Sequence, residues 1–208
     1  FFVSQEAFTT FFGDTILVLK NYCEEIPELY DQLVLYYHSW MMKSIPFVQF
    51  QNNHPEFQQF DQRIQNADDN VIKLFCIAPA PPKIKQLLEN QNLFDDAKHL
   101  ISAAKKIEIP LIALPTLSSA IEVLNRMYFL EFEEHAQADE LTPLIHYLFL
   151  ACKTPSLYTF IQYLNFYLAP LIELHLLNLD EDSVVGFTHM FNHMGSLQSF
   201  LTNEDKHA

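Results

Sequence analysis

The fold class of this chain is decided by residues 138–149, Ala138-Asp139-Glu140-Leu141-Thr142-Pro143-Leu144-Ile145-His146-Tyr147-Leu148-Phe149. Apolar side chains recur here at intervals of three and four residues, which places them on one face of an α-helix. Pro143 suits a first helical turn, where its missing N–H costs little. Considered by itself, Asp139 is interpreted as the N-cap of this helix, because a carboxylate at the N-cap accepts unpaired backbone N–H groups. The segment predicts an amphipathic helix over 139–152.

Helical spacing extends outward from this segment over nearly the whole chain, which predicts an all-α protein. The pattern indicates helices over residues 5–24, 27–45, 55–76, 83–90, 93–106, 115–132, 139–152, 156–177 and 183–201. We expect Pro170 to kink or break the helix that contains it. The proline-rich segment 78–82 cannot be helical throughout and is the clearest joint. We therefore expect an N-terminal helical bundle, residues 1–100, packed on a C-terminal helical layer, residues 101–208.

The amino-acid composition restricts the kinds of partner that the chain is expected to bind. The 208 residues are half apolar and 18% charged, which is typical of a globular protein. The net charge of −14 disfavours nucleic acid and anionic membranes as partners and favours a protein with a basic patch. The longest apolar run, residues 144–152, is too short to cross a bilayer, so we expect no membrane insertion.

No feature of the sequence indicates a cofactor or a metal. The chain has only three glycines, none of them clustered, so it lacks the loops that cradle phosphates. Its three cysteines are far apart and form neither a disulfide framework nor a metal-binding pair. His189 and His193 share a helix face, but the residue after His189 is Met190 and not the Glu of an HExxH motif. Helix-face histidines are the simpler interpretation.

The stretch over residues 138–147 resembles the signature of the vacuolar protein sorting 9 domain family, which reads Ala-Asp-Asp, two residues, Pro, then an aliphatic run. Lys153-Thr154-Pro155 stands where the family usually has Asn-Pro-Pro. Ile161-Gln162-Tyr163-Leu164 is similar to an Ile-Gln-Tyr-Ile segment, and Phe187-Thr188-His189 to the end of a Tyr-Tyr-x-Thr-Asn motif. The resemblance covers about residues 105–203 and is sharp only over residues 138–164.

The resemblance implies a guanine nucleotide exchange factor that promotes GDP release from early-endosomal Rab GTPases. On this alignment the catalytic residues are Asp139 and Thr188, and the helix proline of the family is Pro143. The first tyrosine of the Tyr-Tyr pair falls on Val185, so the resemblance implies a diverged member that lacks one hydrogen bond to the GTPase. The family does no covalent chemistry, so the chain is not expected to be an enzyme in that sense.

The resemblance also implies an apolar groove beside Asp139 that receives the GTPase. Candidate partner-binding residues are Pro143, Tyr147, Tyr163 and Val185, with Leu144 as a further wall residue, although helical spacing also fits core positions. An interaction module with the same fold but no exchange activity is the alternative, and a metal- or small-molecule-dependent helical enzyme is a third. The implied location is the cytoplasm at early endosomes, or the host cytosol if the chain is a bacterial effector.

Overall fold

The computed structural model describes residues 5–23, 26–107, 109–173 and 181–204. These residues form helices and turns and contain no strand, so the all-α prediction is confirmed. The α-helices are α1 (Gln5–Tyr22), α2 (Pro27–Ser44), α3 (Phe47–Asn53), α4 (Pro55–Asn66), α5 (Asp69–Ile72), α6 (Pro82–Glu89), α7 (Asp95–Ala104), α8 (Pro110–Phe132), α9 (Ala138–Cys152), α10 (Leu157–Glu173) and α11 (Glu181–Glu204). None of these helices has the length and apolar character needed to span a membrane.

The helix predicted over residues 55–76 is interrupted. Its first part, α4, ends at Asn66, and Asp68 then caps the short α5 by accepting the N–H groups of Asn70 and Val71, each at 2.9 Å. A short side chain that bonds its own backbone competes with helix continuation, which explains the break. A π-helical turn at Lys73–Ile77 leads into the proline-rich joint.

Three prolines lie inside the described α-helices. Pro143 was expected in a first turn but is the sixth residue of α9. Pro115 was expected to begin a helix, but α8 begins five residues earlier at Pro110 and contains Pro115 in its interior. Pro170 also lies inside a helix, and α10 continues to Glu173. The rest of the helix predicted to residue 177 lies outside the described residues.

One continuous cluster of buried side chains joins the two halves of the chain. It includes Phe8 near the beginning and Leu201 near the end. The boundary predicted between residues 100 and 101 falls inside α7, which packs along α8. Among the described helices, α9 is one of the most buried, with every residue from Pro143 to Leu150 in the interior.

Candidate functional site

The N-cap of α9 is Gln137, so the interpretation of Asp139 as the cap is wrong. Gln137 has extended backbone angles, and Asp139 is the second residue of the helix. The Gln137 N–H donates to the Oε2 atom of Glu140 at 2.8 Å, as in a capping box. Glu140 therefore makes the capping hydrogen bond to the Gln137 N–H, and the Asp139 carboxylate takes no part in it.

The side chain of Asp139 is exposed to solvent. It forms no hydrogen bond and no salt bridge with any other residue that the structure describes. An ionised carboxylate near a helix N-terminus is favoured by the helix dipole, which offsets part of the cost of leaving it unpaired. Asp139 is thus presented as a free negative charge.

A cleft of about 310 Å³ lies beside this carboxylate. One wall is a single face of α9, formed by Asp139, Thr142, Pro143 and His146. The other wall comes from the π-helical turn and the proline-rich joint, and its residues are Phe75, Pro79, Ala80 and Pro81. The cleft is therefore mostly apolar, with a carboxylate at one end of the α9 wall and an imidazole at the other.

His146 is the buried polar residue of the cleft. Its Nε2 atom lies 2.7 Å from the hydroxyl of Ser196, and that hydroxyl donates to the carbonyl of His193 at 2.8 Å. Since the hydroxyl hydrogen is used in this way, Nε2 of His146 carries a hydrogen and donates it. Burial, with a smaller contribution from His193, lowers the pKa of His146 to about 4. His146 is therefore neutral at physiological pH.

The two histidine rings of α11 pack against each other, and one of them contacts His146 of α9. His189 and His193 are stacked with centroids 6.1 Å apart, and His193 meets His146 edge-on at 5.2 Å. Within the described ranges, no group of three or more His, Cys, Asp or Glu residues is arranged to hold a metal ion.

Three residues predicted for the groove lie in the core instead. Leu144 is fully buried, and Tyr147 and Tyr163 are each 3% exposed. Tyr147 packs on Phe94 at a centroid distance of 4.6 Å, and Tyr163 packs on Phe50 at 5.3 Å. The physical reason on α9 is the helical period: each residue turns the helix by about 100°, so Leu144 and Tyr147 face away from the wall that holds Pro143 and His146.

The other two predicted residues, Val185 and Thr188, are exposed on α11. Val185 is 49% exposed, and the hydroxyl of Thr188 donates to the carbonyl of Val184 at 2.8 Å. Both flank Gly186, where α11 approaches α8 so closely that an added Cβ would meet Ser118. This part of α11 therefore packs on the Ser118 region of α8 through Gly186, while Val185 and Thr188 face solvent.

Asp139 lies beside a different part of α8. The neighbouring residue Glu140 accepts a hydrogen bond from Tyr128, which is ten residues after Ser118 on that helix. Ten residues span about 15 Å along a helix. The structure thus brings Asp139 and Pro143 into one cleft but does not bring Thr188 to it.

Sequence reasoning missed the opposite wall of the cleft. Phe75, Pro79 and Pro81 lie about 60 residues before α9, and no local pattern links them to it. The only available signal was the proline-rich joint itself, because a segment that cannot be helical often exposes a surface between packed helices.

Comparison of the chain with protein-family models gives no match. Comparison with curated proteins gives no match either.

Proposed function

We propose that the chain is a guanine nucleotide exchange factor for early-endosomal Rab GTPases, with Asp139 as the acidic residue that acts on the GTPase. One observation carries the proposal: the Asp139 carboxylate is exposed, has no partner among the described residues, and stands at an apolar cleft. The resemblance of residues 138–164 to the vacuolar protein sorting 9 domain supplies the reaction.

The proposed mechanism is electrostatic. A GTPase holds its nucleotide with Mg²⁺ and a lysine that contacts the phosphates. A carboxylate that enters this site pairs with the lysine and repels the phosphates. Unit charges about 4 Å apart interact by roughly 4 kcal/mol at an effective dielectric constant near 20, which is enough to change GDP release by orders of magnitude. Exchange is then a shift in binding free energy between two states, without covalent chemistry.

The cleft would receive an apolar segment of the GTPase. Its Pro79 and Pro81 surfaces are rigid and apolar, so little conformational entropy is lost when a partner packs on them. The net charge of −14 would accelerate encounter with a partner that carries a basic patch.

The test is GDP release from a panel of Rab GTPases loaded with a fluorescent GDP analogue. We expect the wild-type chain to accelerate release from at least one early-endosomal Rab, and Asp139→Asn, which keeps the shape but removes the charge, to lose most of that acceleration. The matched control is Asp96→Asn, because Asp96 is also an exposed carboxylate in the first turn of a helix. If Asp139→Asn accelerates release as well as the wild type does, Asp139 is not the acting residue.

A second candidate function is a binding module without exchange activity. The observation that favours it is the position of Val185 and Thr188, which are exposed on α11 and do not line the Asp139 cleft. Val185 also has no polar side-chain atom for a GTPase switch region. Rab binding by the wild-type chain, together with GDP release at the intrinsic rate for the whole panel, would establish this function in place of the first.

A further inference from the structure

The two adjacent carboxylates at the beginning of α9 have different surroundings. Asp139 is free, whereas both oxygens of Glu140 are engaged. Oε2 of Glu140 accepts the Gln137 N–H at 2.8 Å, and Oε1 accepts the hydroxyl of Tyr128. Because consecutive helical residues point about 100° apart, fixing the first turn at Glu140 also fixes the direction of the Cα–Cβ bond of Asp139.

Tyr128 is a rigid anchor for this contact. Its side chain is fully buried on α8, where it packs against Phe132 at a centroid distance of 4.8 Å. Burial and the Glu140 carboxylate raise the pKa of the Tyr128 hydroxyl to about 12. The hydrogen bonds from Gln137 and Tyr128 lower the pKa of Glu140. The pair is therefore a neutral phenol that donates to an ionised carboxylate throughout the physiological range, and such charge-assisted bonds are strong.

The same hydroxyl connects to the other side of the cleft. It lies 3.5 Å from Oε1 of Glu134, which forms an ion pair with the ammonium group of Lys83. Lys83 is the second residue of α6 and directly follows the proline-rich joint, which ends at Pro82 and contributes Pro79, Ala80 and Pro81 to the cleft wall. The contacts thus run from the proline-rich wall, through the α8–α9 loop, to the first turn of α9.

We infer that Tyr128 and Glu140 are positioning residues for Asp139, which they hold at the mouth of the cleft by clamping the first turn of α9 to α8. The inference rests on the proposed function, because Asp139 is the group that is positioned. Neither Tyr128 nor Glu140 touches the GTPase. The clamp keeps the first turn formed, so the backbone that carries Asp139 is already ordered when the carboxylate enters the partner, and this pre-organisation accelerates release.

The first experiment does not depend on any GTPase. Hydrogen exchange of the backbone amides of residues 137–141 is measured in the wild type and in Tyr128→Phe, which removes one hydroxyl and keeps the buried ring. We expect about fivefold or greater loss of protection in the variant, as for one lost hydrogen bond. The control is Tyr158→Phe, which deletes a hydroxyl that donates to Gln198 of α11 at 2.8 Å and makes no contact with the first turn of α9 in the described hydrogen bonds. Equal protection in the wild type and Tyr128→Phe overturns the inference.

The second experiment separates positioning from stability. For Tyr128→Phe, we expect the maximal rate of GDP release at saturating GTPase to fall by about tenfold, while the concentration giving half-maximal rate stays unchanged. Glu140→Gln keeps one acceptor oxygen, so it should retain more activity than Glu140→Ala. Equal activity of these two variants, or a change in half-maximal concentration alone, overturns the inference.

Failure of the proposed exchange function and failure of the positioning role give different experimental results. Failure of the wild-type chain to accelerate release from any Rab overturns the proposed function, and amide protection in Tyr128→Phe then decides whether the clamp exists. Acceleration that depends on Asp139 but not on Tyr128 supports the proposed function and overturns the positioning role.

Discussion

Asp61 of α4 accepts a hydrogen bond of 2.7 Å from the backbone N–H of Tyr158, at the beginning of α10. The second carboxylate oxygen of Asp61 accepts two hydrogen bonds from Thr159, one from the backbone N–H at 3.2 Å and one from the side-chain hydroxyl. Asp61 is only 5% exposed. A side chain of one helix thus caps the N-terminus of another that is about 100 residues away in sequence, and the two halves of the chain are tied together at this point.

Replacement of Asp61 should destabilise the fold strongly. Asp61→Ala leaves two buried N–H groups and one hydroxyl without a partner, so we expect the free energy of unfolding to fall by about 3 kcal/mol. Urea unfolding followed by circular dichroism measures this change. Asp96→Ala, at an exposed carboxylate, is the control and should change stability by less than about 0.5 kcal/mol. A loss below about 1 kcal/mol for Asp61→Ala would show that water replaces the cap.

His38 is a buried group that destabilises the protein in acid. It is fully buried, both ring nitrogens lack a hydrogen-bond partner, and its ring neighbours Phe12 and Tyr167 are uncharged. Burial lowers its pKa from 6.5 to about 4. The unfolded chain therefore binds the proton first, so the free energy of unfolding falls as the pH drops from about 6.5 towards 4.

The test compares His38→Leu with the wild type at two pH values. Removing two unpaired buried nitrogens should raise the free energy of unfolding by about 1 kcal/mol at neutral pH. Between about pH 7 and about pH 5, the variant should escape about 2 kcal/mol of the loss that the wild type suffers. His146 titrates in both proteins and so cancels in the comparison. An identical acid-induced loss in both proteins would contradict the assignment.

The two glycines of α11 should respond oppositely to alanine. A Cβ at Gly186 would lie 2.3 Å from the Oγ and 3.0 Å from the Cα of Ser118, whereas one at Gly195 meets nothing within 4 Å. We expect Gly186→Ala to lower the free energy of unfolding by about 1–3 kcal/mol, because α11 must move away from α8. Gly195→Ala should raise the free energy of unfolding by up to about 1 kcal/mol, because alanine favours the helix. Thermal unfolding gives both values, and stabilisation by Gly186→Ala would show that the two helices are not in close contact.

Lys153 combines a strained backbone with a capping side chain. Its φ angle of 48° is in the left-handed region, and its ammonium group donates to the carbonyls of Gln65 at 3.1 Å and Ala67, at the end of α4. Both Lys153→Ala and Lys153→Gly remove the cap, but only glycine adopts this φ without strain. We therefore expect Lys153→Ala to be less stable than Lys153→Gly by about 1 kcal/mol in urea unfolding. Equal stability of the two variants would place the backbone outside the left-handed region.

Local periodicity predicted the helices well where each helix has its own apolar face. α2 and α9 begin and end within a residue or two of the prediction, because proline and apolar spacing act within a few residues of each helix end. The break after Asn66 was missed, since it depends on the Asp68 side chain bonding its own backbone in preference to continuing the helix.

The sequence by itself determined the helical class, the amphipathic face of α9 and the position of Asp139 in its first turn, since these follow from residue spacing over a few turns. Only the tertiary structure decided that Glu140 is held by Tyr128 so that Asp139 stays free, and that the proline-rich joint forms the other wall of the cleft. It also placed Tyr147 and Tyr163 in the core. Helical period shows which residues share a face, but contacts between segments far apart in sequence determine what that face meets.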